Sequence, residues 1–123
     1  MILLDTNAVL WAHLGRPRAR PLQRHRGSLR VSPATVLELQ FLVESGRIRA
    51  LDTSAIDDVV TDDRWKLDEA PSGAWFREAG RIGWTRDPFD RLIVAHALLR
   101  GWTLATGDSA LLSRLREDQA LAL

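Results

Sequence analysis

The stretch from Arg86 to Asp108, Arg-Asp-Pro-Phe-Asp-Arg-Leu-Ile-Val-Ala-His-Ala-Leu-Leu-Arg-Gly-Trp-Thr-Leu-Ala-Thr-Gly-Asp, decides how the remainder of the chain is read. Asp87 stands where a helix N-cap belongs, Pro88 at the first helical position and Asp90 at the third. Phe89, Leu92, Ile93 and Ala97 recur at helical spacing, so one face is apolar while Asp90 lies in the opening turn. Gly101 is placed to close the helix as a C′ glycine. Trp102 to Thr106 then reads as a short buried strand, with Asp108 following at its carboxyl end. A helix and strand of this kind aim two acids at one edge of a sheet.

Working outward, the chain of 123 residues is long enough to bury one core, and the expectation is a single domain over residues 1–123. It has no cysteine, which excludes disulfides, thiolate metal sites and thiol nucleophiles. No apolar run approaches the ~18 residues of a membrane span, and Ile2 to Leu4 is too short for a signal-peptide core. A soluble, cytoplasmic protein without membrane contact is expected. The net charge of +1 conceals segregation. Residues 16–30 carry six arginines and no acid, whereas residues 52–69 carry seven acids against Arg64 and Lys66.

Met1 to Leu4 is an apolar strand that ends by presenting Asp5, and Ala8 to Leu14 continues as a short helix. Pro21 to Arg26 is a candidate helix and Leu29 to Val31 a second strand. Ser32-Pro33 opens a strong helix over Ala34 to Ser45, stopped by Gly46. Its apolar residues nearly encircle it, which predicts burial on several sides. Arg47 to Leu51 is strand or extended link, a helix runs from a Thr53 or Ser54 cap to about Trp65, and Lys66 to Pro71 is loop or short strand. Gly73 to Ile82 and Ala110 to Arg116 read as helices and Ala120 to Leu123 as a last strand. Alternation of short strands and helices predicts an α/β fold, a central parallel sheet flanked by helices on both faces, with ligands gathering at the carboxyl ends of the strands.

Four acids are candidates for chemistry at that edge: Asp5, Glu38, Asp90 and Asp108. Each also has a structural reading. Asp5 and Asp108 can cap the helices that follow them, and Asp87 is better explained as an N-cap than as a ligand. Asp90 can complete a capping box, and Glu38, set among apolar residues, can pair with a core arginine. Their combination is harder to explain structurally. Carboxylates converging on one edge repel one another unless a hard cation neutralises them, and oxygen-only ligands suit Mg²⁺ or Mn²⁺. A cation so held can activate water for attack on a phosphodiester.

Four blocks in order, Leu4-Asp-Thr-Asn7, Ser32-Pro-Ala-Thr-Val-Leu-Glu38, Asp87-Pro-Phe-Asp-Arg-Leu-Ile-Val-Ala95 and Trp102-Thr-Leu-Ala-Thr-Gly-Asp108, give the sequence its resemblance to PIN-domain ribonucleases of the VapC toxin type. The likeness covers nearly the whole chain, and the third block is the most specific. It implies a catalytic and metal-binding set of Asp5, Glu38, Asp90 and Asp108, with Asn7, Asp87, Arg91 and Thr106 in support. It also implies Mg²⁺- or Mn²⁺-dependent endonucleolytic cutting of RNA, homodimer formation and inhibition by a cognate antitoxin protein. Many relatives carry an aromatic where Leu37 precedes the helix glutamate, a departure that touches packing rather than chemistry.

Other residues are weighed in the same way. The arginines of residues 16–30 either track RNA phosphates or form a solvated basic surface. Arg91 either contacts substrate or, the favoured reading, pairs with an acid. His96 lies six residues beyond Asp90, roughly 9 Å along a helix, and is read as a core or interface histidine. Trp11, Trp75, Trp84 and Trp102 fit core or interface area better than base stacking. Acidic residues 57–63 read as a solvated helix side, or as a dock for a basic antitoxin segment. Against the nuclease stands a catalytically silent interaction module. A receiver or phosphoryl-transfer domain fits worse: a receiver wants paired acids after strand one, and an aspartyl phosphatase wants an acid where Asn7 stands.

Overall fold

In the computed structural model, which describes residues 1–123, strands and helices alternate as anticipated. The elements are β1 (Ile2–Leu4), α1 (Thr6–His13), a 3₁₀ run (Pro17–His25), β2 (Leu29–Val31), α2 (Pro33–Glu44), a 3₁₀ turn (Thr53–Ala55), α3 (Ile56–Val60) and β3 (Lys66–Leu67). They continue with α4 (Ser72–Gly80), α5 (Pro88–Arg100), β4 (Thr103–Thr106), α6 (Ser109–Arg114), a last 3₁₀ turn (Glu117–Gln119) and β5 (Ala120–Ala122). All five strands pair in parallel, in the order β3-β2-β1-β4-β5. The predicted parallel α/β sheet is therefore the fold. Chain order reverses at β1, which pairs with β2 on one side and β4 on the other. That is the switch point at which open α/β sheets leave a crevice. No helix is long and apolar enough to cross a membrane.

Period-2 alternation divides the short strands between two cores. Ile2 and Leu4 join Val9, Val31, Leu39 and Val59 on one face. Leu3 joins Trp75, Ile93, Val94, Leu104 and Leu111 on the other. Leu3, Leu4 and Leu39 are wholly buried, and each contributes about 2–3 kcal/mol relative to an exposed side chain.

Helix α5 is fixed at its ends and along its middle. The Asp87 carboxylate accepts from the amides of Phe89 at 2.8 Å and Asp90 at 3.1 Å. Gly101 closes the helix at φ 69°, and the Trp102 amide returns to the Ala97 carbonyl at 2.9 Å. The Trp75 indole N–H reaches the Leu92 carbonyl at 2.7 Å. His96, wholly buried between Trp75 and Trp102, sets Nε2 2.7 Å from the Asp68 carboxylate, which also accepts from Arg100 Nε at 2.9 Å. The core reading of His96 holds, and burial lowers its pKa.

Four expectations are corrected. First, α3 ends at Val60 instead of running to Trp65. The Thr61 hydroxyl turns back to the Asp57 carbonyl at 2.7 Å, and the Asp62 carboxylate takes the Arg64 amide at 3.0 Å. Such local side-chain bonds compete with helix continuation. Second, the segment around Pro21 is a 3₁₀ run that begins at Pro17, so Pro21 lies inside it and does not open a helix. Third, the apolar ring of α2 is not buried all the way round. The helix packs against α1, α3 and α5, yet Leu37 is 63 % and Phe41 44 % exposed on the stripe they leave open. Fourth, Arg91 pairs with no acid; its Nε donates to the Thr85 carbonyl at 2.7 Å.

Two glycines test the backbone account in opposite directions. Gly80 ends α4 with open space where a Cβ would stand, whereas Gly101 sits at positive φ. Gly80→Ala should stabilise the protein by about 0.5–1 kcal/mol. Gly101→Ala should destabilise it by about 1–2 kcal/mol, both read from urea unfolding at unchanged m-value.

Candidate active site

Asp5 follows directly on β1, and its amide donates to the Ala105 carbonyl at 3.0 Å, so the residue is pinned to the carboxyl edge of the sheet. Its carboxylate caps α1 by accepting from the Ala8 amide at 2.7 Å. Asp5 is only 7 % exposed, and that burial, opposed by the Thr106 hydroxyl and the Ala8 amide, pushes its pKa from 3.8 to about 6. A rise of that size disfavours the ionised form by about 3 kcal/mol, whereas an N-cap is worth about 1 kcal/mol. Capping alone does not account for a carboxylate held in this place.

The other acids arrive from three different elements. Glu38 projects from the middle of α2 and forms no ion pair, so the expected core arginine partner is absent. Burial raises its pKa; the Thr6 hydroxyl pulls it back, and Asp87 and Asp5 raise it further. Asp90 lies in the first turn of α5. The Asp87 amide is taken by the Thr85 hydroxyl at 3.3 Å, so no capping box forms and the Asp90 carboxylate faces the cleft. Burial first, then the charges of Asp87, Glu38, Asp108 and Asp5, lift Asp90 to about 7. Asp108 caps α6 through the amides of Ala110 at 2.8 Å and Leu111 at 3.2 Å, while its own amide rests on the Thr106 hydroxyl at 3.0 Å.

These four carboxylates line one cleft of about 130 Å³ with Thr6 and Asn7, over an apolar floor of Leu42, Ile93 and Leu111. Of the supporting residues, Asn7 is at the cleft, Thr106 is wholly buried behind Asp5, and Asp87 and Arg91 lie outside the lining. Thr6 was not singled out in the sequence. Its signal was its place inside Asp-Thr-Asn at the first position of α1, where its hydroxyl meets Thr35 at 3.3 Å and steadies Glu38. The donor set is oxygen only, and mutual repulsion among half-buried acids is what a hard divalent cation relieves. No three of the carboxylates are gathered tightly enough to ligate one ion together.

A family model described as the PIN domain matches residues 2–117. No curated protein matches the chain. Among solved structures, the chain is similar over 99 % of its length to 97 % of a chain in a toxin–antitoxin complex from Klebsiella pneumoniae, at TM-score 0.70 and 14 % identity. It is likewise similar to a chain of VapBC2 from Rickettsia felis bound to a promoter DNA fragment, with 100 % and 99 % of the two chains covered, TM-score 0.69 and 19 % identity. A third likeness is to VapBC-1 from nontypeable Haemophilus influenzae, with 99 % and 98 % covered, TM-score 0.69 and 20 % identity. Identities this low speak for the shared fold.

The raised carboxyls carry a sign. A carboxyl whose folded pKa lies above its unfolded value binds more protons in the native state, so its contribution to stability falls as pH rises from about 4 through about 7. Asp90→Asn removes one such group. The difference in stability between variant and parent should grow from pH 5 to pH 8 in the variant's favour. Allowing for solvent screening, it should reach on the order of 1 kcal/mol, a few degrees in Tm. Thermal melts in EDTA across that range measure it, and a flat difference would contradict an Asp90 carboxyl raised by burial and neighbouring charge.

Proposed function

The chain belongs to the PIN-domain family, and from that footing we propose that it is a divalent-metal-dependent endoribonuclease, the toxin of a toxin–antitoxin pair. The observation that carries the reading is the cleft itself: acids from four separate elements face one small cavity at the carboxyl edge of a parallel sheet. Three of them, Asp5, Glu38 and Asp90, are pushed upward in pKa by burial first and then by neighbouring carboxylates, Asp108 in the case of Asp5. A fold meets that cost where the charges serve a ligand.

Asp5, Glu38 and Asp90 would hold Mg²⁺ or Mn²⁺ directly or through water, with Asp108 completing the wall or serving a second ion. Mg²⁺ commonly takes one or two carboxylates and keeps its remaining waters, so a site without three convergent ligands is compatible with it. Bound there, the ion would supply activation of water and neutralisation of negative charge on the phosphate oxygens. The chain's own groups do the rest. The Ala8 amide and the Thr106 hydroxyl hold Asp5, the Thr6 hydroxyl holds Glu38, and Asp87 fixes the turn that presents Asp90. Without a cation the same carboxylates repel a phosphodiester, which gives metal dependence an electrostatic basis.

Asn7 offers the cleft a neutral hydrogen-bonding group. The names of the similar structures, together with the exposed Leu37 and Phe41 beside Glu38, support an antitoxin or a second copy of the chain as a protein partner. The absence of a ready three-carboxylate cluster favours the rival reading, a silent interaction module.

Cleavage of a single-stranded RNA with Mg²⁺, with Mn²⁺ and with EDTA separates the two. The nuclease should cut only with metal, and Asp5→Asn should lower the rate by on the order of a hundredfold or more. Cutting in EDTA, or an undiminished Asp5→Asn, would falsify the mechanism; no cutting under any condition leaves the silent module. For the toxin role, expression of the chain alone should arrest growth and Asp5→Asn should relieve the arrest.

A further inference from the structure

The arginine-rich segment is not one surface. Its 3₁₀ run crosses from the carboxyl edge of the sheet to the amino edge. Arg26 and Arg30 flank Gly27 at the entrance of β2, where the Arg30 Nη1 donates to the carbonyls of Gly27 and Leu29. That is the end of the sheet away from the acidic cleft. Arg18 lies at the other end, where its Nη2 donates to the carbonyl of Gly107 at 3.4 Å, one residue before Asp108, and to that of Leu123 at 3.2 Å beyond β5.

The seat of Arg18 is built around it. Its guanidinium lies 4.1 Å from the centre of the Trp11 ring. Position 107 has room only for glycine, since a Cβ there would press into Arg18 Nη2 and come within 2.7 Å of Trp11. Both bonds to backbone come from Nη2, so Nε and Nη1 have no protein acceptor, and the side chain is exposed. Arg18 is also the one basic group among the main influences on Asp5, Glu38 and Asp90. A cation is thus held in place at the rim of a carboxylate cleft with three N–H donors to spare.

We propose that Arg18, seated on Trp11 at the rim of the cleft, grips a backbone phosphate of the RNA strand next to the one that is cut, and that Arg26 and Arg30 take no part. The inference rests on the nuclease reading. A strand entering four carboxylates meets repulsion along its length, and a fixed guanidinium beside Asp108 gives one neighbouring phosphate a counter-charge. Stacking on Trp11 and the two carbonyl bonds hold the side chain in position before the strand arrives.

The test is binding of a fluorescein-labelled single-stranded 12-nucleotide RNA by anisotropy, in EDTA so that the strand stays intact, from about 50 to about 200 mM KCl. Arg18→Gln should weaken binding about fivefold at the low-salt end and reduce the slope of log K against log salt by about 0.7, the value for one phosphate on a single strand. Arg18→Lys should keep most of the slope, and Arg26→Gln should change neither quantity. Weaker binding by Arg18→Gln with the slope unchanged would assign Arg18 to holding the Gly107 turn and overturn the proposal. An equal loss in Arg26→Gln would overturn it too. If the parent binds and cuts RNA while Arg18→Gln binds as the parent does, this proposal alone fails. If the parent cuts RNA in Mg²⁺ yet binds none in EDTA, Arg18 grips no phosphate against the bare carboxylates and this proposal alone fails; if the parent neither binds nor cuts RNA, the nuclease reading fails with it.

Discussion

Because β1 and β4 run side by side in the same direction, both strands must end at one edge, and the helix that follows each must begin there. That constraint sets almost everything about the cleft. Asp5 is the first residue past β1 and Asp108 the second past β4, and each turns out of the sheet by capping the helix it precedes. The positive ends of α1 and α6 therefore meet the carboxylates that would otherwise face one another unrelieved. Helix α5 brings a further N-terminus to the same region, with Asp87 as its cap and Asp90 one turn in. An antiparallel pair would have sent the two acids to opposite ends.

The relief is partial. Helix termini supply part of a charge each and lose influence within a turn, while the acids in the cleft are several and all but Asp108 are partly or wholly buried. Burial first, and the neighbouring carboxylates after it, hold Asp5 at about 6 and Asp90 at about 7. Rigidity elsewhere keeps the acids from swinging apart into solvent. The Trp75 indole bonded to a carbonyl of α5, and Asp68 held by both His96 and Arg100, clamp the helix that carries Asp90. Thr106 works from behind, bridging the Asp108 amide and the Asp5 carboxyl.

Local chemistry made much of this readable in the sequence. Proline at the first helical position, Asp and Ser caps and Gly101 mark where α2, α5 and α6 start and where α5 stops, and these signals act over a few residues. The strands next to Asp5 and Asp108 were legible for the same reason. What was not legible depended on which side of an element meets a neighbour. The ring of apolar residues on α2 said buried, but α1, α3 and α5 leave one stripe uncovered, and Leu37 and Phe41 are left at the surface. The early end of α3 turned on Asp62 choosing the Arg64 backbone and side chain over another helical turn. Placing Glu38 beside Asp5 required the crossover from β1 to β2, which no spacing in the sequence encodes.

The order of strands across the sheet has a consequence for a chain made from its amino end. Asp5, Glu38 and Asp90 are all synthesised before β4, yet the carbonyl that pins the Asp5 amide belongs to Ala105 and the hydroxyl that steadies its carboxyl belongs to Thr106. Until those residues emerge, β1 has a neighbour on one side only and the crevice has no second wall. The cleft is consequently finished only after β4 is made, when Asp108 and the strand before it dock against the earlier β1. A nascent chain halted short of β4 carries three of the four acids, with the Ala8 amide and the Thr6 hydroxyl that hold two of them, and lacks the wall that closes the cleft.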